Sequence, residues 1–406
     1  MRITLRLTEI LQVNRSEKLS ELCHLAKNVY NLANWYFRQD FFNLNHFLSY
    51  YDLDLILKDK QVYRNLPSQT SQQILKYVVR SWKSYFKGLK EYRQEVKKFK
   101  KKPKIPGYKK KNEEFIIIFT NQQCRIKKGY LYFPKRVNLE PIRTRIKEKL
   151  KEVRIIPLGG CYKVEIVHEK EEKSLGLSKD NILAIDLGLN NIITAVNNIG
   201  NRPIIIKGGI IKSINQYYNK QLAYFRSIEY KKGNFQDTNR IQKLHLIRNN
   251  KINTIFHRIS KKVIKYCIQN DIGTIVIGYN KGWKQKINIG KKNNQNFVQI
   301  PLLKLLKQIE YKAQLKGISF ITIDEAYTSK CSYLDEESIK NHKKYAGKRI
   351  TRGLFRTSNG MIINADVNAA YNIMRKAFPN SISVDGIEAF GLMPQIIQHN
   401  IVDAII

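Results

Sequence analysis

The sequence predicts a multidomain α+β protein: a small N-terminal β-barrel interrupted by a helical block, followed by an α/β domain. Three observations predict it. At 406 residues the chain exceeds one ordinary core. Its hydrophobic period changes twice, from helical spacing to short strands and then to alternating strands and helices. A lysine run broken by Pro103, Pro106 and Gly107 marks the first change, because those residues forbid a continuous helix.

The elements follow in order. Residues 1–13 alternate apolar and polar side chains as one strand. Over 14–100 the spacing is helical, with Leu19, Leu22, Cys23, Ala26, Val29, Tyr30 and Ala33 in one stripe. Ile74, Tyr77, Val78, Ser81, Trp82 and Tyr85 make a second, and core packing accounts for both. Within 101–170, short β segments at 115–119, 129–133, 153–156 and 162–167 are separated by turn residues. With the N-terminal strand they suit a barrel. After a polar linker, the domain at 181–378 reads as strands 182–187, 191–197 and 203–206, then a long helix. Strand 274–277, helix 301–316, strand 318–323 and helix 366–378 complete it. The all-apolar Thr274-Ile-Val-Ile277 suits a sheet covered on both faces. This order is that of an RNase H-like fold. Residues 379–406 form a tail without a usable motif.

Charge narrows the function classes. Lys and Arg number 73 against 33 Asp and Glu, a net charge of +40 spread along the chain. Such self-repulsion points to a polyanionic partner, and nucleic acid fits best because each neutralised phosphate releases counterions. A ribosomal-type structural binder is the plainer alternative. A membrane fits less well, since no stretch approaches ~20 consecutive apolar residues, and the N-terminus lacks a signal-peptide pattern. Five scattered cysteines without a CxxC pair argue against a disulfide framework and a four-thiolate zinc site. A prokaryotic, reducing cytoplasm is the expected setting. The run 97–111 holds nine lysines in fifteen residues. Lys101, Lys102, Lys104, Lys109, Lys110 and Lys111, with Tyr108 and Phe99 as stacking faces, fit a strap that tracks phosphates. A loose, solvated lysine run is the plainer reading.

Two acids stand at the edges of elements in the α/β half. Asp186, in Ala184-Ile-Asp-Leu-Gly188, lies within a buried strand just before a glycine turn. Asp366, in Asn364-Ala-Asp-Val-Asn-Ala-Ala370, opens a helix, where the backbone dipole favours an anion. A carboxylate in a core strand is costly unless compensated, and two converging carboxylates suit Mg²⁺. Taken singly, each signal is weaker: Asp-Leu-Gly also occurs in actin-like ATPases, and Asp366 could be a plain N-cap.

The surroundings carry a resemblance. Residues 181–196 resemble the first RuvC motif of the TnpB family, the OrfB proteins of insertion sequences related to type V CRISPR effectors. The segment from Phe297 through Ile318, Tyr327-Thr-Ser-Lys-Cys331 and Asn364–Asn372 resemble later motifs of that family, and Pro106–Lys111 and Leu131–Lys135 resemble its β-domain. The resemblance implies a wedge barrel (1–13 and 101–170) interrupted by a recognition lobe (14–100), then a RuvC nuclease domain (181–378). It also implies a guide RNA and a target DNA, with Asp186 and Asp366 as metal-binding catalytic residues.

Two departures matter. The family's glutamate at the end of the second-motif strand is Gly278 here, in Ile275-Val-Ile-Gly278. Either catalysis is lost or Glu325, at the end of the neighbouring strand, takes its place; Asp324 is the backup, on the opposite face. The two CxxC pairs of the family's zinc ribbon are also missing, leaving Cys331, so no zinc is expected. Residues 332–363 instead form a basic insertion with Arg349, Arg352 and Arg356, which either guides a strand or is a solvated loop. Trp283, in a long polar loop, either stacks on a base or anchors that loop. The expected mechanism has Asp186 bridging two Mg²⁺ or Mn²⁺ ions, with Glu325 and Asp366 holding one each, for in-line hydrolysis of DNA. The rivals are a nuclease-inactive RNA-guided repressor, a strand-joining transposase and an actin-like ATPase.

Overall fold

The computed structural model describes residues 4–280, 298–351, 353–381 and 394–397. The chain divides into two compact units, Thr4–Lys170 and the part from Glu171 onward.

In the first unit, strand β1 (Thr4–Asn14) leads into helix α1 (Glu17–Leu44). Ser16 caps this helix, its hydroxyl accepting from the Leu19 N–H. Helices α2 (Tyr50–Leu57), α3 (Gln61–Arg64) and α4 (Ser68–Gln94) follow. Helices α1 and α4 pack together just past the first expected stripe: Phe37 stacks on Trp82 at 4.5 Å, and the Trp82 indole N–H donates to Asn34 Oδ1 at 2.9 Å. Strands β2 (Ile117–Thr120), β6 (Lys149–Leu158) and β7 (Cys161–Glu171) join β1 in a four-stranded sheet ordered β1-β7-β6-β2. Strands β3 (Arg125–Lys127), β4 (Tyr130–Tyr132) and β5 (Ile142–Arg143) make a separate antiparallel sheet.

The lysine run is docked rather than loose. Side chains of α1 grip its backbone: Lys27 Nζ donates to the Lys111 carbonyl (2.7 Å) and Asn31 Nδ2 to that of Lys109 (2.9 Å). Arg38 Nη2 donates to the Pro106 carbonyl (2.5 Å), and the Lys109 N–H returns to Asn31 Oδ1 (2.8 Å). With the backbone satisfied this way, Lys101, Lys102, Lys104, Lys110 and Lys111 face solvent. Tyr108 is exposed beneath the Arg38 guanidinium, 4.5 Å from its ring centroid. Lys109 is half-buried over Tyr30 and Phe115, and Phe99 packs on Tyr92, so these two are less available to a ligand.

The second unit is built on one six-stranded sheet. Strands β8 (Ile182–Asp186), β9 (Asn191–Asn197) and β10 (Ile204–Lys207) are antiparallel neighbours. Helices α5 (Gly209–Lys231) and α6 (Asn239–Gln269) intervene before β11 (Thr274–Gly278), which pairs parallel with β8. Helix α7 (Leu302–Gln314) leads to β12 (Ser319–Ile323), parallel to β11. Small strands β13 (Lys348–Arg349), β14 (Leu354–Arg356) and β15 (Ile362–Asn364) form a separate antiparallel sheet before helix α8 (Ala365–Ala377). A short strand absent from the sequence expectation, β16 (Gln395–Ile397), pairs parallel with β10. The order is β12-β11-β8-β9-β10-β16.

Both faces of this sheet are covered, as the all-apolar strands require. Leu183, Ile185, Ile275 and Ile277 pack with Ile255, Ile259, Leu305 and Ile309 from α6 and α7. Ile182, Ala184 and Val276 pack on the other face with Val367, Ala370, Ile373 and Met374 of α8.

Candidate functional site

Alternation along β8 sends residues 182, 184 and 186 to the α8 face, so Asp186 points toward the helix that carries Asp366. Asp366 is the second residue of α8, but it is not the cap. Asn364 is: its Oδ1 accepts from the N–H groups of Asp366 (3.0 Å) and Val367 (3.2 Å). The Asp366 carboxylate is therefore free for other partners. Arg349 Nη2 donates to its Oδ1 at 3.0 Å, and Asn191 Nδ2 to its Oδ2 at 2.7 Å. Two bonds leave about half of a carboxylate's lone-pair positions open.

Glu325 comes from a third element, though not as expected. Strand β12 ends at Ile323, so Glu325 lies in the following turn rather than at the strand end. Its N–H donates to Asn280 Oδ1 (3.1 Å), and its carbonyl accepts from Thr328 Oγ1 (2.8 Å). Asp324 is exposed, and its carboxylate caps the Ala326 N–H. The loop, not strand alternation, separates these two acids.

Gly278 explains how Glu325 fits. It sits opposite Ile323 in the β11–β12 pairing, on the α8 face of the sheet. A Cβ built on it would lie 3.1 Å from the Glu325 Cβ and 2.7 Å from Ile373 Cδ1. The Glu325 side chain thus begins beside the place where a side chain at position 278 would begin, and that room exists only because residue 278 is glycine.

The carboxylates sense one another. Burial, then the charges of Asp366 and Glu325, push the Asp186 carboxyl up to about 8, against a smaller lowering by Arg349. Burial, with repulsion from Asp324 behind it, raises Glu325 to about 7. Clustered, desolvated acids of this kind are a common mark of functional sites. Among the described residues no three His, Cys, Asp or Glu side chains already converge closely enough to hold one ion. Asp366 is instead paired with Arg349. The donor set is nevertheless all oxygen, which suits a hard cation, and the buried Asn191 Oδ1 beside it has no hydrogen-bond partner.

The basic insertion is tied to this region. Cys331 is free and buried, its Sγ 3.5 Å from the Ser338 carbonyl. Its own carbonyl accepts from Asn368 Nδ2 (2.9 Å) and Asn372 Nδ2 (2.7 Å), so amides of α8 anchor the segment. Tyr333 stacks on Tyr371, and Arg375 reaches the Glu337 carbonyl at 2.6 Å. Arg349 is brought to Asp366, while Arg356 is exposed on β14. Trp283 and Arg352 lie outside the described residues. Asn191, Asn280 and Asn364 were missed by the sequence reading; each is an ordinary loop or edge asparagine until the fold sets it beside an acid.

Comparison with known proteins bears on the same half. The OrfB_IS605 family model, described as "Probable transposase", matches residues 162–284, and the Cas12f1-like TNB domain model matches 304–373. The TnpB-like protein ORF457 of Acidianus two-tailed virus is 23% identical over 89% of this chain and 84% of its own. The CRISPR-associated endodeoxyribonuclease Cas12f2 of Micrarchaeota archaeon (strain CG1_02_47_40) is 26% identical over 63% of this chain, which spans only 47% of that protein. A solved mini-RNA-guided endonuclease, CRISPR-Cas_phi3, aligns over 92% of each chain at 11% identity and a TM-score of 0.47. Two family models fall in sequence order, mostly on the α/β unit, and a TnpB-like relative aligns along most of the chain, so the protein is similar to the TnpB family, the OrfB proteins of insertion sequences.

Proposed function

We propose that this protein is an RNA-guided DNA endonuclease whose RuvC-like centre consists of Asp186, Glu325 and Asp366. The observation that carries the reading is that acids from β8, the turn after β12 and the start of α8 lie near enough for the charges of Asp366 and Glu325 to raise Asp186 beyond its burial. The strand order β12-β11-β8-β9-β10 with helices on both faces supports an RNase H-like domain over 181–378. The β strands around the helical block are read as the wedge and the block as the recognition lobe, with 379–406 as a tail. The +40 charge, the docked lysine strap and a relative named as an endodeoxyribonuclease support guide RNA and target DNA as partners.

Asp186, Glu325 and Asp366 would hold Mg²⁺ or Mn²⁺, which when bound activates water and stabilises the leaving oxygen of a phosphodiester. Arg349 brings a fixed positive charge to the same place, where it can meet a backbone phosphate. The α8 N-terminus adds its dipole. Incubating the protein, with RNA expressed from its own locus, with matching DNA and Mg²⁺ should yield cuts that move when the guide segment is changed. Guided binding without cutting in Mg²⁺ or Mn²⁺ would instead establish the repressor reading that Gly278 invites.

Metal binding should be steeply pH-dependent. Cation ligands must lose their protons, and in the metal-free protein Asp186 keeps its proton up to about 8 and Glu325 to about 7. Apparent Mn²⁺ affinity, followed by calorimetry, should rise about tenfold per pH unit between 7 and 8, more steeply below 7, and level off above 8. An affinity that stays flat from pH 6 to 8 would contradict this electrostatic picture. No zinc is proposed for the basic insertion, since Cys331 is the one thiol there. Elemental analysis finding about one tightly bound zinc per chain would overturn that.

A further inference from the structure

Asn191 opens β9 and is 8% exposed. Its Nδ2 donates to Asp366 Oδ2 at 2.7 Å, while its Oδ1 is buried without a hydrogen-bond partner. Exchanging the amide atoms does not remove the problem. It would set an amide oxygen 2.7 Å from a carboxylate oxygen, two acceptors with no proton between them. The chemistry therefore fixes the donor on Asp366 and leaves the oxygen as the orphan.

The backbone holds that arrangement in place. Asn191 is paired with Lys207 of β10, and it closes the tight turn out of β8. A Cβ on Gly188 would lie 2.6 Å from the Asn191 carbonyl oxygen, so the turn has no slack. A buried, unpaired acceptor costs about 1–3 kcal/mol, and native structures seldom leave one without a use. Beside a cluster of carboxylates, the partner an acceptor oxygen can take is a cation or a water bound to one.

We propose that Asn191 belongs to the metal centre: its Nδ2 orients Asp366, and its Oδ1 is a neutral oxygen ligand for the divalent cation that Asp366 holds. The inference rests on the proposed metal-binding role of the acid cluster and extends it. A neutral amide oxygen suits this position because Asp366 and Glu325 already set negative charge beside the buried Asp186, and a fourth carboxylate would add to it. Amide oxygens are ordinary ligands for hard cations. Partners that orient a ligating carboxylate matter as well, their loss typically costing about 10–100-fold in metal affinity.

The test compares wild type, Asn191→Leu, Asn191→Asp and Asp186→Asn as full-length protein with its RNA. Mn²⁺ affinity and the melting temperature of the metal-free protein are read for each. Asn191→Leu should weaken Mn²⁺ binding by about 10–100-fold. Its metal-free melting temperature should not fall, because the variant removes the orphaned oxygen together with one hydrogen bond. Asn191→Asp keeps an oxygen but sets two carboxylates against each other. It should melt lower without metal and gain more stability on Mn²⁺ addition than wild type does. Unchanged Mn²⁺ affinity in Asn191→Leu, with binding present in wild type and lost in Asp186→Asn, overturns this inference alone. A metal-free melting temperature that falls while affinity stays the same assigns Asn191 to structure. Absence of Mn²⁺ binding by wild type overturns both this inference and the proposed centre.

Discussion

Asp186→Ala and Asp366→Ala should each reduce single-turnover cleavage of a guided target by at least about a thousandfold, because several kcal/mol of metal-supplied stabilisation depend on them. Guided DNA binding should stay within about threefold of wild type, since the phosphate contacts of a +40 protein lie mostly elsewhere. The two substitutions should differ in the metal-free protein. Asp186 is a desolvated acid crowded by two others, so its removal relieves repulsion. Asp366 is paired with Arg349 and Asn191, so its removal strands a guanidinium and a buried amide. Asp186→Ala should therefore melt at or above the wild-type temperature and Asp366→Ala below it. Cleavage at the wild-type rate by either variant would move the site away from this cluster.

Glu325→Gln should lose cleavage by a hundredfold or more, on the order of the cost of one metal ligand, while Asp324→Asn stays within about twofold. Adding Gly278→Glu to Glu325→Gln should not restore activity. The new Cβ would stand 3.1 Å from the Cβ of residue 325 and 2.7 Å from Ile373 Cδ1, so the two side chains compete for one space. The exchange Gly278→Glu/Glu325→Gly removes that conflict and leaves the Ile373 side chain, whose Cδ1 and Cγ1 would lie 2.7 and 3.1 Å from the new Cβ, to turn aside. It should recover a measurable part of the lost rate. Activity in the exchange and not in the simple addition would be the signature of one carboxylate position reachable both from the end of β11 and from the turn after β12.

Much of this arrangement was legible from the residues. All-apolar strands such as Thr274–Ile277 announce a sheet covered on both faces, and an aspartate ending one of them is conspicuous because it is costly there. The parallel pairing of β11 with β12 agrees with the expectation that these two strands are neighbours, but Glu325, expected to end β12, lies two residues past it. Other features are decided only by tertiary contact. Three residues, Gln395–Ile397, are too short a signal to announce a sheet edge. Arg349 is one of many basic residues in its segment, and nothing local says that it, rather than Lys348, meets Asp366. The lysine strap looks solvated in sequence because its anchors are a lysine, asparagines and an arginine of α1 more than sixty residues away. Strand ends are equally hard to read: Ile323, Asp324 and Glu325 continue the chain without a break, yet the strand stops at the first of them.

The most direct test of the central claim is anomalous diffraction from crystals of the protein grown with Mn²⁺. Manganese peaks within about 2.2 Å of carboxylate oxygens of Asp186, Glu325 and Asp366 are the predicted result. Manganese bound by Asp186 and Asp366 with the Glu325 carboxylate turned away, or no manganese at this cluster at all, would contradict it.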